Sequence, residues 1–208
     1  MSTIESASPR EVAPRPYRAS LRRLYLARSA FAVVWAALLL AHGPTTGPWL
    51  TVLLVGYPLF DAGAVLWQIR ARADAHGRPM AQGINVVVSA VVAIALGVAS
   101  AGSIGAVLGM WGAWAIGAGI PQLVVAVRDR GLGGQVPQML SGGISVLAGA
   151  SFLGQGLTGA DSVAGIGGYA LVGALFFLLS ALRLGSVLRR TDADGDRGVR
   201  AAADTPDS

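Results

Sequence analysis

Asp61 is the residue of this sequence best placed to do chemistry inside a membrane. It is the one acidic side chain deep in an apolar stretch, about twelve residues after Trp49 and about nine before Arg70. At about 1.5 Å per residue, that sets it near the midplane of a helix crossing a bilayer. A carboxyl at that depth is expensive to bury alone, so it is a candidate for proton relay or ion binding, or else for a structural hydrogen bond. Tyr57 sits one turn away on the same helical face and is its candidate partner.

A second polar group consists of Arg28, Asn85, Gln122 and Gln138. All four fall near the ends of apolar stretches on the side that carries the arginines, with Ser89 and Ser141 about one turn deeper. They form a candidate vestibule open to the cytoplasm, although polar residues at helix ends more often cap neighbours or snorkel to water. Gln155 lies at the opposite end and does not join them.

Other routes to catalysis are closed. There is no Cys, hence no thiolate nucleophile, disulfide or cysteine-ligated metal. His42 and His76 fall in loops on opposite sides of the membrane, which excludes a metal site or a triad built from both. Gly131-Leu132-Gly133-Gly134 resembles a phosphate-binding turn only superficially, because no strand precedes it and no Lys follows. The expectation is a protein that is not an enzyme and uses no cofactor or metal; a lipid-modifying activity through Arg and Asp is the weakest alternative.

The elements that must position these residues are membrane helices. The chain is 53% hydrophobic and 13% charged, against about 25% charged in an average soluble domain. The apolar residues gather at 24–41, 49–69, 83–101, 104–127, 139–157 and 163–182, each near the roughly 20 residues that cross about 30 Å of hydrocarbon. The expected fold is all-α, a polytopic protein of six transmembrane helices in one membrane domain over 24–190. Residues 1–23 read as a basic disordered tail with an interfacial helix near Tyr17–Tyr25, and 191–208 as a second disordered tail.

Charge sets the orientation. The 16 basic residues are all Arg, in four places: Arg10 to Arg28, Arg70 to Arg78, Arg128 with Arg130, and Arg183 to Arg200. The loops at 42–48, 102–103 and 158–162 contain none. The positive-inside rule therefore predicts both termini in the cytoplasm. A cleaved signal peptide ending near Ala41-His42-Gly43 is a minor alternative. The net charge of +5 points to the lipid bilayer and its anionic headgroups as partners, not to nucleic acid, since the arginines flank spans and lack interleaved aromatic residues.

Internal repetition accompanies this pattern. Gly56, Gly112 and Gly168 recur at a constant offset, as do Ala62, Ala118 and Ala174, and Tyr57 returns as Tyr169. In the odd-numbered spans, Ser29, Ser89 and Ser141 correspond, followed by Ala37, Gly97 and Gly149. Together these predict three helical hairpins related by an axis along the membrane normal. The positions equivalent to Asp61 are Gly117 and Gly173, so a carboxylate is not shared by the repeats. Stripes of small residues at Gly105-Gly109-Ala113-Gly117, Ser89-Ala93-Gly97 and Ser141-Ser145-Gly149 predict close helix packing, with a homo-oligomer left open. Pro58 and Pro121 are expected to kink the second and fourth spans, and Trp49, Trp67, Tyr25 and Tyr169 to anchor span ends at the headgroups.

Several segments resemble one branch of the HdeD-like family of short-repeat bacterial inner-membrane proteins. They are Tyr57-Pro58-Leu59-Phe60-Asp61-Ala62, Trp114-Ala115-Ile116-Gly117-Ala118-Gly119 followed by Gln122-Leu123, Gln138-Met139-Leu140-Ser141-Gly142-Gly143, and Gly168-Tyr169-Ala170. The resemblance runs over about residues 24–185. It implies an inner-membrane protein of six helices, linked through the family's namesake to acid stress, and supplies no catalytic or binding residues. The resulting expectation is a stress-related or membrane-organising protein; the alternative is a small transporter or channel that uses Asp61.

Overall fold

Apolar runs too long for ordinary core helices become six helices in the structure, a computed structural model that describes residues 15–43, 45–71, 80–128 and 136–203. They are α1 (Arg15–His42), α2 (Pro48–Ala71), α3 (Met80–Gly102), α4 (Ile104–Arg128), α5 (Val136–Leu157) and α6 (Ala164–Ala203). All six contain a stretch long and apolar enough to cross a membrane. Their outer faces fit lipid: on α3, Val87, Val91, Ile94 and Val98 form an exposed apolar stripe at helical spacing. Trp49 and Trp67 stand exposed near the two ends of α2, as headgroup anchors would.

Turn chemistry ends the helices abruptly. Gly43 takes φ 76° just after α1 and Gly159 takes φ 76° beyond α5, a left-handed conformation that a side chain would strain. At the start of α4, Ser103 Oγ accepts the Ala106 N–H at 3.1 Å, a side-chain cap. Both prolines lie inside continuous helices, and Pro58 is buried.

Two boundaries differ from the sequence reading. α1 begins at Arg15, so the basic segment from Tyr17 is continuous with the first span and not a separate surface helix. α6 runs on to Ala203 through residues read as a disordered tail. Once a span has nucleated a helix, each further residue adds one hydrogen bond without a new nucleation step, which composition alone does not register.

The expected three-hairpin packing also needs correction. The closely packed pairs are α4 with α5, α1 with α6, and α2 with α3, whereas α1·α2, α3·α4 and above all α5·α6 meet much less. Each tight pair joins an even-numbered helix to the next odd-numbered one, and α6 closes the ring onto α1. The reason lies in where the small residues fall. On α4 and α5, Gly105 faces Gly156, Gly112 faces Gly149 and Gly119 faces Gly142; a Cβ on any of the six would come within 3.0 Å of the opposite backbone. The α1·α6 seam uses alanine, with Ala32, Ala36, Ala170, Ala174 and Ala181 buried and Ser29 Oγ donating to the Ala174 carbonyl at 2.9 Å. Thr51 and Ser100 hydroxyls meet at 2.8 Å between α2 and α3. In lipid, where no hydrophobic drive pulls helices together, such close approach supplies the attraction.

The bundle interior changes character along its axis. Toward the end away from most arginines it is apolar and closely packed, with Leu39, Leu50, Leu54, Leu96, Val107, Leu108 and Ile166 almost wholly buried. A layer of aromatic rings follows: Trp35 stacks on Trp111 at 5.5 Å, and Tyr57 and Trp114 pack on Trp111 at 5.5 and 5.3 Å. Trp35 Nε1 donates to the Leu53 carbonyl at 2.7 Å, tying α1 to α2 at this level. Beyond the aromatic layer, toward the arginine-bearing end, the interior is polar and hollow.

Candidate functional site

Asp61 sits at the boundary of that hollow, on α2. The Arg28 guanidinium of α1 donates through Nη2 to Asp61 Oδ1. From α3, Asn85 Nδ2 donates to Oδ2 at 3.1 Å and Ser89 Oγ to the same oxygen at 3.2 Å. Three helices thus converge on one carboxylate. Pairing and hydrogen bonding together offset the cost of taking a carboxyl group away from water. The pair is not sealed: the side chains of Arg28 and Asp61 are 15% and 16% exposed, which leaves them accessible from the cavity beside them.

The helices bring the pair together through matched depth. Arg28 lies about 21 Å along α1 from His42, and Asp61 about 20 Å along α2 from Pro48, so an antiparallel turn between those ends sets them level. Arg28 is fixed from its other side as well, because its guanidinium carbon lies 4.3 Å over the ring of Phe177 on α6, and Phe177 in turn packs on Tyr25 at 6.0 Å.

The cavity has a volume of ≈ 340 Å³ and is lined from all six helices, within the range of small-molecule sites. Arg28, Tyr57, Asp61, Asn85 and Gln122 line it, so the expected midplane site and most of the expected vestibule are one site. Gln138 opens the first turn of α5, with its side chain outside the described residues. Ser141 and Ser145 line the α5 wall, and Ser145 shares a hydrogen bond of 2.9 Å with the Tyr169 hydroxyl across the sparsely packed α5·α6 interface.

Some expectations are corrected here. Tyr57 serves the carboxylate as a wall of the same cavity and gives its ring to the aromatic layer, while Asn85 and Ser89 supply the neutral hydrogen bonds to Asp61. Tyr25 and Tyr169 line the cavity. Gln155 bonds within its own helix to Ser151 and stays apart from the site. His42 contacts Thr45 beyond the end of α1, and His76 and Gly131–Gly134 lie outside the described residues. The reading from sequence missed Trp114, Phe176 and Phe177 as cavity walls; for Tyr169 a signal was present, since the repeat pairs it with Tyr57.

Chemically, the arrangement offers a neutralised acid and base, amide and hydroxyl groups, and several aromatic faces. Among the described residues no three acidic or histidine side chains gather as metal ligands. No family model, no curated protein and no solved structure matches this chain.

Proposed function

We propose that this is a non-enzymatic protein of the bacterial inner membrane, both termini cytoplasmic, with the stress-related or membrane-organising role that its HdeD-like segments imply. The observation that carries this reading is the anchoring of Asp61 by three donors. A carboxylate held by Arg28, Asn85 and Ser89 at once suits a fixed clamp joining α1, α2 and α3 better than a proton carrier that must repeatedly release its charge. The arginines beside the spans support contact with anionic headgroups and the cytoplasmic orientation.

The test is a deletion strain challenged with acid and with envelope stress, complemented by wild type, by Asp61→Asn, and by the swap Arg28→Asp with Asp61→Arg. Reduced survival that wild type and the swap both restore, but Asp61→Asn does not, is the expected result. Unchanged growth of the deletion strain under both stresses counts against the role.

A second reading, a small transporter or channel, is favoured by the cavity of ≈ 340 Å³ against the same ion pair. Proton and ion flux into proteoliposomes, compared between wild type and Asp61→Asn across a pH gradient, decides it. Flux lost in the variant supports transport, and no flux with either protein removes it.

A further inference from the structure

We infer that the central cavity binds a small organic cation of the quaternary ammonium class, in competition with the Arg28 guanidinium. This rests on the cavity being a binding place, as the second reading holds, but not on transport.

The first ground is the composition of the walls. The chain has 5 Trp, 4 Tyr and 5 Phe, and six of these, Tyr25, Tyr57, Trp114, Tyr169, Phe176 and Phe177, surround this one space. Packing alone does not require such a gathering around a void, because aromatic rings are most useful where they fill volume, as Trp111 does in the layer below. A ring attracts a cation placed over its face, as Phe177 already does for Arg28 at 4.3 Å.

The second ground is that the site already holds a cation of the same kind. Arg28 is a planar organic cation resting on an aromatic face and paired with a carboxylate, the two interactions by which an alkylammonium is recognised. A carboxylate has about four acceptor positions, and Arg28, Asn85 and Ser89 take three. A quaternary ammonium donates no hydrogen bond, so it needs only proximity to the remaining edge of Asp61 and to the rings. Among the described residues Arg28 is the sole basic residue lining the cavity and Asp61 the sole acidic one, so these walls carry balanced charge and Arg28 opposes an incoming cation. Removing its charge must therefore strengthen binding.

The experiment uses the full chain in nanodiscs of phosphatidylethanolamine and phosphatidylglycerol, which carry no choline, with empty discs as background. The probes are choline, its uncharged isostere 3,3-dimethylbutan-1-ol and the anion 3,3-dimethylbutanoate. Choline is expected to bind saturably and about tenfold more tightly than the alcohol, the effect of a desolvated cation–π site. Arg28→Gln should tighten choline binding and Asp61→Asn should abolish it. Because either change can compromise folding, Gly173→Leu provides an independent arm. Gly173 lines the cavity, and a Cβ there meets nothing within 4 Å, so the leucine can extend into the space while both members of the ion pair are retained, and it should eliminate binding.

Choline bound no better than the alcohol, tighter binding of the anion, or binding that survives Gly173→Leu overturns the inference. Choline binding without ion flux leaves the site standing and removes transport. Flux without choline binding does the reverse.

Discussion

Between α4 and α5 the helices meet backbone to backbone through six glycines, whereas α1, α2 and α3 are joined by charged and polar side chains around Asp61. Both solve the same problem, holding helices together where lipid gives no hydrophobic drive, by opposite means. The glycine seam gains many weak contacts over its whole length and is indifferent to charge. The polar corner concentrates its energy in one carboxylate and leaves open space beside it. The difference teaches that close packing and open space can share one small bundle: α4 and α5 meet through glycine on one face and line the cavity with other residues, while the corner around Asp61 keeps the accessible charge.

The contrast is broken most severely at the corner. Arg28→Leu strands the Asp61 carboxylate and is expected to destabilise the protein by about 3–5 kcal/mol. Denaturation in mixed micelles reads this, and the double change Arg28→Leu with Asp61→Leu should recover much of the loss. Recovery is the decisive part, since a packing defect at Arg28 alone would not be relieved by removing Asp61.

Next comes the seam. In Gly112→Ala the added Cβ would stand 2.6 Å from the Gly149 carbonyl oxygen, so backbone must shift. The expected loss is about 1–3 kcal/mol, as for overpacking in a core, by the same denaturation. A stable Gly112→Ala protein would mean that α4 and α5 are not this close.

Smaller still is Ser89→Ala, which removes one of three donors to a carboxylate that keeps its counter-charge. About 0.6 kcal/mol, and no more than about 1.7, is the magnitude for a polar contact between membrane helices. A loss as large as that of Arg28→Leu would show the hydrogen bonds, and not the ion pair, to be the clamp. The smallest effect belongs to Gly117→Ala, at an exposed position where a Cβ has open space; stability should stay within about 0.5 kcal/mol of wild type. Together with Gly112→Ala, this separates the seam from glycine content as such.

The glycine pair also shows how far the sequence was legible. A spacing of four picked out Gly105, Gly109, Ala113 and Gly117, but Ala113 and Gly117 face outward. Steps of four residues drift by about 40° each around a helix, so a long stripe at that spacing leaves the contact face. Steps of seven drift by only about 20°, and Gly105, Gly112 and Gly119 opposite Gly142, Gly149 and Gly156 keep to one line. That signal was present and unread. For Arg28 the error lay in a boundary: a first span beginning near residue 24 places Arg28 at a helix end, whereas a helix beginning at Arg15 places it midway, level with Asp61.

By itself the sequence determined that there would be six apolar helices, where their cores lie, and that Asp61 is the exceptional residue among them. Hydropathy and length suffice for that, because lipid forces each span to satisfy its own backbone within a helix. Only the tertiary structure decided that α6 closes onto α1, that tight pairs straddle the expected hairpins, and that Arg28, Asp61, Asn85 and Ser89 form one cluster beside an aromatic cavity. These depend on the rotation of each helix about its own axis, which is set by contacts with helices distant in sequence, and uniformly apolar spans carry little periodicity to reveal it.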